Sequence, residues 1–283
     1  MANLRDIKRR IESVKSTKQI TNAMKMVAAS KLRRAQDRII AARPYANYVD
    51  LMLRTIKKKN RNTNHALIAG NGDKREILVV VTADKGLCGS FNSNIIKEAK
   101  NYLDENPDTA VICLGRKAEE EMKKISDNII ASYIGLFNEM KFTESADISQ
   151  LLLDLYLEKG YGKIKVLYNE FKSAIQQNLI FKQILPIETN DSDIVSEIDF
   201  IYEPDEHSII DELGKKFVNV DIWRIMLESS AAEQGARMTA MESATDNAND
   251  LISSLSLQYN RERQAVITTE IIEISSGAGA INE

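Results

Sequence analysis

Between Ile209 and Ile274 the chain reads IIDELGKKFVNVDIWRIMLESSAAEQGARMTAMESATDNANDLISSLSLQYNRERQAVITTEIIEI. This stretch decides the fold. It contains no proline, its only glycines are Gly214 and Gly235, and nearly everything else in it is a good or tolerable helix former. At a rise of ~1.5 Å per residue, roughly 65 residues make a rod on the order of 100 Å long. No single compact domain of about 280 residues hides such a rod. It must pair with another helix or be buried in a different protein.

A partner lies at the other end of the chain. Leu4 to Ile56 reads as one long helix. Steps of three and four from Leu4 fall on Ile7, Ile11, Val14, Lys18, Thr21, Lys25, Ala28, Leu32, Ala35, Ile39, Ala42, Ala46, Val49, Leu53 and Ile56. That alternation is the 3.5-residue repeat of a coiled coil. Only Lys18, Thr21 and Lys25 break the apolar seam. There the apolar residues move to Ile20, Ala23, Met24 and Val27, which predicts a local shift of face or a place where a third partner touches. Pro44 predicts a bend, not necessarily an end.

Charge brings the same two segments together. Residues 1–61 carry 17 Lys+Arg against 4 Asp+Glu, 17 − 4 = +13, and residues 205–283 carry 6 against 14, 6 − 14 = −8. If both helices leave a central domain on the same side, they run antiparallel. The C-terminal seam then passes through Phe217, Val220, Leu227, Ala231, Met238, Met241, Ala248, Ile252, Leu255 and Tyr259. The N-terminal helix has only about 55 residues, so it covers its partner to about Tyr259 or Asn260. The last ~20 residues project alone. They carry Val266, Ile267, Ile271, Ile272 and Ile274, followed by Gly277 to Ala280. A lone helix this rich in isoleucine needs an apolar socket in another molecule.

The middle of the chain has a different texture. Ile77 to Val81 is a continuous aliphatic run, the mark of a strand buried on both faces. A loop, Ala83 to Asn92, leads to an amphipathic helix around Ile95 to Leu103. Further strands are expected at Val111–Leu114, Ile129–Ile134 and Lys163–Tyr168, with an edge strand over Ile175–Leu185; helices are expected at Ala118–Ile125 and Ser149–Glu158. The fold class is therefore α/β plus a long antiparallel α-helical coiled coil, with a small Rossmann-like domain of largely parallel sheet between the two long helices. Expected boundaries are 1–57 for the first helix, 58–75 for a linker, 76–204 for the α/β domain, and 205–283 for the second helix and its tip.

Candidate chemistry is sparse. Hydrophobic residues make up 43%, charged residues 28%, and the net charge is −3, a soluble composition. No window reaches the ~18 apolar residues of a membrane span. The opening MANLRDIKRR lacks an apolar core, so no signal peptide is expected, and Cys88 and Cys113 are expected as reduced thiols in the cytoplasm. The loop Gly86-Leu87-Cys88-Gly89 sits where phosphate-binding loops sit but matches neither glycine-rich pattern. Cys88 reads as a buried thiol, and His65 and His207 as solvated loop histidines. No metal and no cofactor is expected. Two other classes fit parts of the pattern: a nucleic-acid-binding coiled coil using the basic arm, and a small α/β enzyme with helical dimerisation arms. The acidic C-terminal helix argues against the first, and no motif supports the second.

Several stretches carry a resemblance. Ile20-Thr21-Asn22-Ala23-Met24-Lys25-Met26-Val27-Ala28-Ala29-Ser30-Lys31-Leu32-Arg33 is similar to the γ subunit family of F-type ATP synthases. So are Asp84-Lys85-Gly86-Leu87-Cys88-Gly89, Tyr202-Glu203-Pro204, Glu233 to Met241, Ala244 to Ala248, and Arg263 to Ile274. The pattern resembles a bacterial-type chain, without the redox insert of chloroplast members. The resemblance implies a rotor with no active site of its own. One copy would stand inside a ring of alternating α and β subunits, on the cytoplasmic face of the membrane, peripheral and not inserted. It would also contact the ε subunit and the membrane c-ring. By the same resemblance, Met24 and Lys25 face the lever loop of β. Arg263 and Gln264 meet its catch loop, supported by Arg237, Thr268 and Glu270. Asp84, Lys85, Gly86, Leu87, Cys88 and Gly89 belong to the foot near ε and the c-ring. No nucleic acid partner is implied.

Overall fold

The computed structural model describes residues 4–59, 65–137, 139–174, 176–188, 203 and 205–281. Helix α1 spans Leu4–Lys59 and helix α6 spans Glu206–Ile281. Between them come α2 (Ala66–Ala69), β1 (Glu76–Val81), α3 (Phe91–Glu105), β2 (Ala110–Leu114), α4 (Arg116–Met122), β3 (Ile129–Tyr133), α5 (Phe142–Leu157), β4 (Lys163–Phe171) and β5 (Gln177–Leu185). Residues 60–64 of the expected linker, Ile175 of the expected edge strand, and Tyr202 and Pro204 with most of the acidic stretch before them lie outside the described residues. Helix α1 does not end at Pro44. The proline removes the N–H that would bond the Ile40 carbonyl, but Pro44 faces solvent while Ala46, Val49 and Leu53 hold the next turns on the inner side.

The chain divides into two compact units: Met1–Val27 with Met238–Glu283, and Ala28–Arg237. The second holds a five-stranded sheet in the order β3-β2-β1-β4-β5. The first four of these strands are mutually parallel, and β5 runs antiparallel to β4. Central strands β1 and β2 are buried on both faces, as their unbroken aliphatic runs require. On one face Ile77, Val79, Ile112, Ile164, Val166 and Tyr168 pack with α5, with Val49 and Leu53 of α1, and with Val218, Ile222, Ile225 and Met226 of α6. On the other, Leu78, Val80, Val111, Cys113 and Leu167 pack under Phe91, Ile95, Ala99 and Leu103 of α3 and Ala118 and Met122 of α4. The β2–α4 turn needs Gly115, at φ +106°, because a Cβ there would lie 2.2 Å from the Thr82 carbonyl oxygen.

The expected linker is not all loop. His65 is buried, and its Nδ1 accepts the Leu67 amide at 3.3 Å to cap α2. Leu67 plugs the core, with its carbonyl bonded to the Ile187 amide at 2.7 Å. The His65 ring packs 4.5 Å from that of His207, centroid to centroid. The expectation of a solvated histidine therefore fails for His65. A short apolar turn carries it under the start of α6, and only His207 is exposed.

The unit of residues 1–27 and 238–283 is an antiparallel helix pair. Thr21 meets Thr245 at 2.8 Å and Lys25 meets Glu242 at 2.5 Å, so α6 numbers fall as α1 numbers rise. Each hydroxyl also reaches a carbonyl of its own helix, Thr245 that of Met241 at 2.7 Å and Thr21 that of Lys18 at 3.1 Å, so the two threonines tie both helices at one level of the seam. On α1 the protected positions include Ile7, Ile11, Val14, Lys18, Thr21 and Met24 with Lys25; on α6 they include Met241, Thr245, Ala248, Ile252, Leu255, Tyr259 and Glu262. The expected shift of face does not occur. The lysine stems and the threonine pair keep the seam in register, and the displaced apolar residues Ile20, Ala23 and Val27 point outward. Leu4, where α1 starts, stands opposite Glu262 in this register. Every described side chain from Arg263 to Ser276 is exposed.

Two measurements check this arrangement. Burial lowers the His65 pKa below its ordinary value of 6.5. The unfolded chain then binds more protons than the folded one just below pH 6.5, so stability is full above that pH and falls as pH drops through it. The urea midpoint should be lower at pH 5.5 than at 7.5, and a His65→Asn variant should show a smaller difference. In hydrogen exchange on the isolated chain, backbone amides of residues 263–276 should exchange at least about tenfold faster than those of 241–259, because fraying helix without tertiary contacts opens most readily.

Candidate functional site

The residues singled out by sequence fall into three places. Two belong to the paired-helix unit. Met24 is half-buried beside Ile20, Met26 and Val27, all three exposed, so α1 shows an apolar outer face opposite its seam. Lys25 is held in the exposed ion pair with Glu242, worth at most ~1 kcal/mol. The second place is the tip. Arg263, Gln264, Thr268 and Glu270 lie within two turns of one another on bare helix, where the Thr268 hydroxyl donates back to the Gln264 carbonyl at 2.9 Å. Around them Val266, Ile267, Ile271, Ile272 and Ile274 are exposed, Ile274 to 72%. Along the helix axis, Arg263 is 21 residues beyond Glu242 (263 − 242 = 21), or ~32 Å at 1.5 Å per residue. The structure therefore presents two separate exposed patches.

The third place is in the α/β unit, and Arg237 belongs to it rather than to the tip. Arg237 Nη1 pairs with Glu233 Oε1 at 2.5 Å, one helical turn back. Its Nη2 donates to the carbonyls of Lys85 (3.4 Å) and Gly86 (3.2 Å). The loop after β1 is thus tied to α6 by one guanidinium. Glu233 is buried, which raises its pKa; Arg237 opposes the shift, and Asp84 adds to it. Asp84 Oδ1 accepts the amides of Arg116 and Gly135, both at 3.0 Å, joining the loop to α4 and to the end of β3. Cys88 is buried against Ala232 and Ala236 of α6, and burial raises the pKa of its thiol. Leu87, at φ +61°, is turned outward and is 65% exposed. Gly89 takes a left-handed conformation, φ +59°. Sequence reading missed this clamp. The Glu-x-x-x-Arg spacing of 233 and 237 marks an ion pair on a helix, but nothing local marks the returning carbonyls.

Among the described residues, no group of three or more His, Cys, Asp or Glu side chains is placed to hold a metal ion. No described helix is long and apolar enough to cross a membrane. What the geometry offers is surface: a bare amphipathic tip, an apolar outer face on α1, and an α/β unit clamped to α6.

Known proteins share this architecture. The family model described as ATP synthase matches residues 3–281. The ATP synthase gamma chain of Chloroherpeton thalassium is 44% identical over 302 residues, covering 100% of this chain and 99% of its own. That of Heliobacterium modesticaldum is 42% identical, covering 99% of this chain and 100% of its own. Among solved structures, a chain of the Tetrahymena thermophila mitochondrial ATP synthase central stalk/c-ring assembly superposes with a TM-score of 0.63 at 26% identity, over 80% of this chain and 99% of that one. A chain of the Euglena gracilis mitochondrial ATP synthase shares the fold at 18% identity, with a TM-score of 0.68 over 98% of this chain and 94% of that one. With relatives this similar over their full length, two terminal helices in antiparallel register and an α/β unit between them, the chain belongs to the ATP synthase gamma chain family.

Proposed function

We propose that this chain is the central-stalk rotor subunit of an F-type ATP synthase, carrying rotation from the membrane c-ring to the catalytic β subunits. It makes no bonds itself. The observation that carries this reading is the bare tip: helix α6 outruns its partner at Glu262 and continues with five exposed aliphatic residues. In water that surface is a cost; inside a ring of subunits it is a bearing. Three identical β sites can differ only if something without threefold symmetry sits among them. A two-helix rod that becomes one helix is such an object, and its unequal contacts shift each site's population.

Arg263 and Gln264, with Thr268 and Glu270, are the proposed contacts to the catch loop of β. The face of Met24 and Lys25 is the proposed contact to its lever loop. The segment Asp84–Gly89 and the α/β unit are assigned to the end that meets ε and the c-ring, and the chain to the membrane's inner face as a peripheral component. The name of the Tetrahymena thermophila neighbour, a central stalk/c-ring assembly, supports this assignment.

Replacing Arg263 and Gln264 together by alanine should leave folding of the chain intact. It should slow ion-driven ATP synthesis in membranes roughly thirtyfold, since two hydrogen bonds to charged or carbonyl partners are lost at ~1 kcal/mol each. Normal synthesis rates would reject the catch-loop assignment. Met24→Lys puts a charge on the outer face of α1. It should reduce the ATP made per ion moved, measured in the same vesicles, and an unchanged ratio would reject the lever-loop assignment.

A further inference from the structure

The surface where α6 crosses the sheet is unusual for a helix so well supplied with apolar residues. Helix α3 buries only Phe91, Ile95, Ala99 and Leu103 against the sheet. Between 221 and 234, α6 buries Asp221, Glu228, Ser229, Ser230, Glu233 and Gln234 among its aliphatic contacts. Two of these acids make ionic or hydrogen-bonded pairs with strands. Asp221 Oδ1 pairs with Lys182 of β5, the carboxylate side chain being only 8% exposed. Glu228 Oε2 accepts the Tyr168 hydroxyl of β4 at 3.1 Å, while its Oε1 pairs with Arg224 Nε at 2.8 Å and its side chain is 9% exposed.

The geometry is that of two pins in one line. Asp221 and Glu228 are seven residues apart, two helical turns, and so share a stripe of α6. Tyr168 pairs across the ladder with Ile180, two residues from Lys182, so both strand partners rise from the same face of the sheet. These contacts are not the cheapest way to bury a helix. Asp221 Oδ2 is buried without a hydrogen-bond partner, and well-packed aliphatic residues in place of a buried ion pair commonly hold a fold as well or better. Apolar contact is non-directional, so a helix on an oily face resists rotation about its own axis weakly. A buried carboxylate depends on specific partners, and turning α6 away from the strands leaves Asp221 without Lys182 and Glu228 without Tyr168.

We infer that Lys182–Asp221 and Tyr168–Glu228, the latter carboxylate braced by Arg224 within α6, are torsional keys, positioning residues that fix the rotation of α6 on the sheet so that turning the α/β unit turns the helix. The inference rests on the rotor reading above. Its test replaces Lys182 by Met with Asp221 by Leu, and Tyr168 by Phe with Glu228 by Gln, in the whole ATP synthase reconstituted into vesicles. ATP hydrolysis and ATP-driven membrane potential are read together. The four-residue variant should assemble, with a thermal midpoint close to that of the unmodified complex, and should pump at most about half as much charge per ATP hydrolysed. The exchanged pair Lys182→Asp with Asp221→Lys should pump better than the Met/Leu pair. Pumping by the four-residue variant at the unmodified ratio overturns the inference, as does a loss that follows only the fall in thermal midpoint. If the four-residue variant does not assemble, Asp221→Asn is measured in its place: a lowered ratio at unchanged midpoint supports the keys and an unchanged ratio overturns them. Failure of the unmodified chain to couple hydrolysis to pumping in the same vesicles counts against the rotor reading and not against the keys.

Discussion

The structure depends on an inequality of length. Helix α1 has 56 residues and α6 has 76. Two antiparallel helices with a 3.5-residue seam protect each other residue for residue, and the longer one must end unprotected. In the unit of residues 1–27 and 238–283 the seam is closed by apolar side chains such as Ile7, Met241, Ala248 and Leu255, with the polar contact of Thr21 on Thr245 among them, and it stops where α1 starts. The described side chains after Glu262, through Ser276, are left to find their partners elsewhere. A fold stabilised chiefly by its own core would trim such a segment or make it polar. This chain fills it with isoleucine.

The α/β unit answers a different requirement. Its sheet core is ordinary, with aliphatic strands sandwiched between helices. The surface against α6 is studded with Asp221, Glu228, Glu233 and their partners. Gly235 lets α6 run close to the β4–β5 turn, where a Cβ would stand 3.0 Å from the Ala174 carbonyl oxygen. Arg237 clasps two carbonyls of the loop after β1. Buried polar contacts of this sort add little net stability but are intolerant of displacement. A long helix held at several directional points behaves as part of the unit that holds it.

Much of this was legible in the sequence, for a physical reason. A coiled-coil seam and a two-sided strand each impose a period on the residues, and periods survive in one dimension. The run from Ile7 to Ile56 and the aliphatic stretch of β1 were therefore readable, and the end of protection near Tyr259 followed from counting residues. The loss came where burial depends on a segment far along the chain. His65 looks like a linker histidine because its cover, the start of α6 at His207, comes 142 residues later (207 − 65 = 142). Arg237 looks like a surface contact because the carbonyls it binds belong to a loop some 150 residues earlier. Lys182 and Asp221 carry no local mark at all; only the sheet order and the crossing of α6 bring them together. At the polar interruption around Thr21 two readings stood open, a shift of face or a third partner, and the shift of face fails; a threonine pair closing a seam cannot be told from a break until the opposing helix is in place.

The central claim is mechanical, and it is tested most directly by watching the chain turn. A bead fixed to the α/β unit, with the surrounding ring of subunits anchored to glass, should rotate in one direction when ATP is supplied and pause at three positions per turn. A bead that stays still while the anchored complex hydrolyses ATP at full rate would contradict the account.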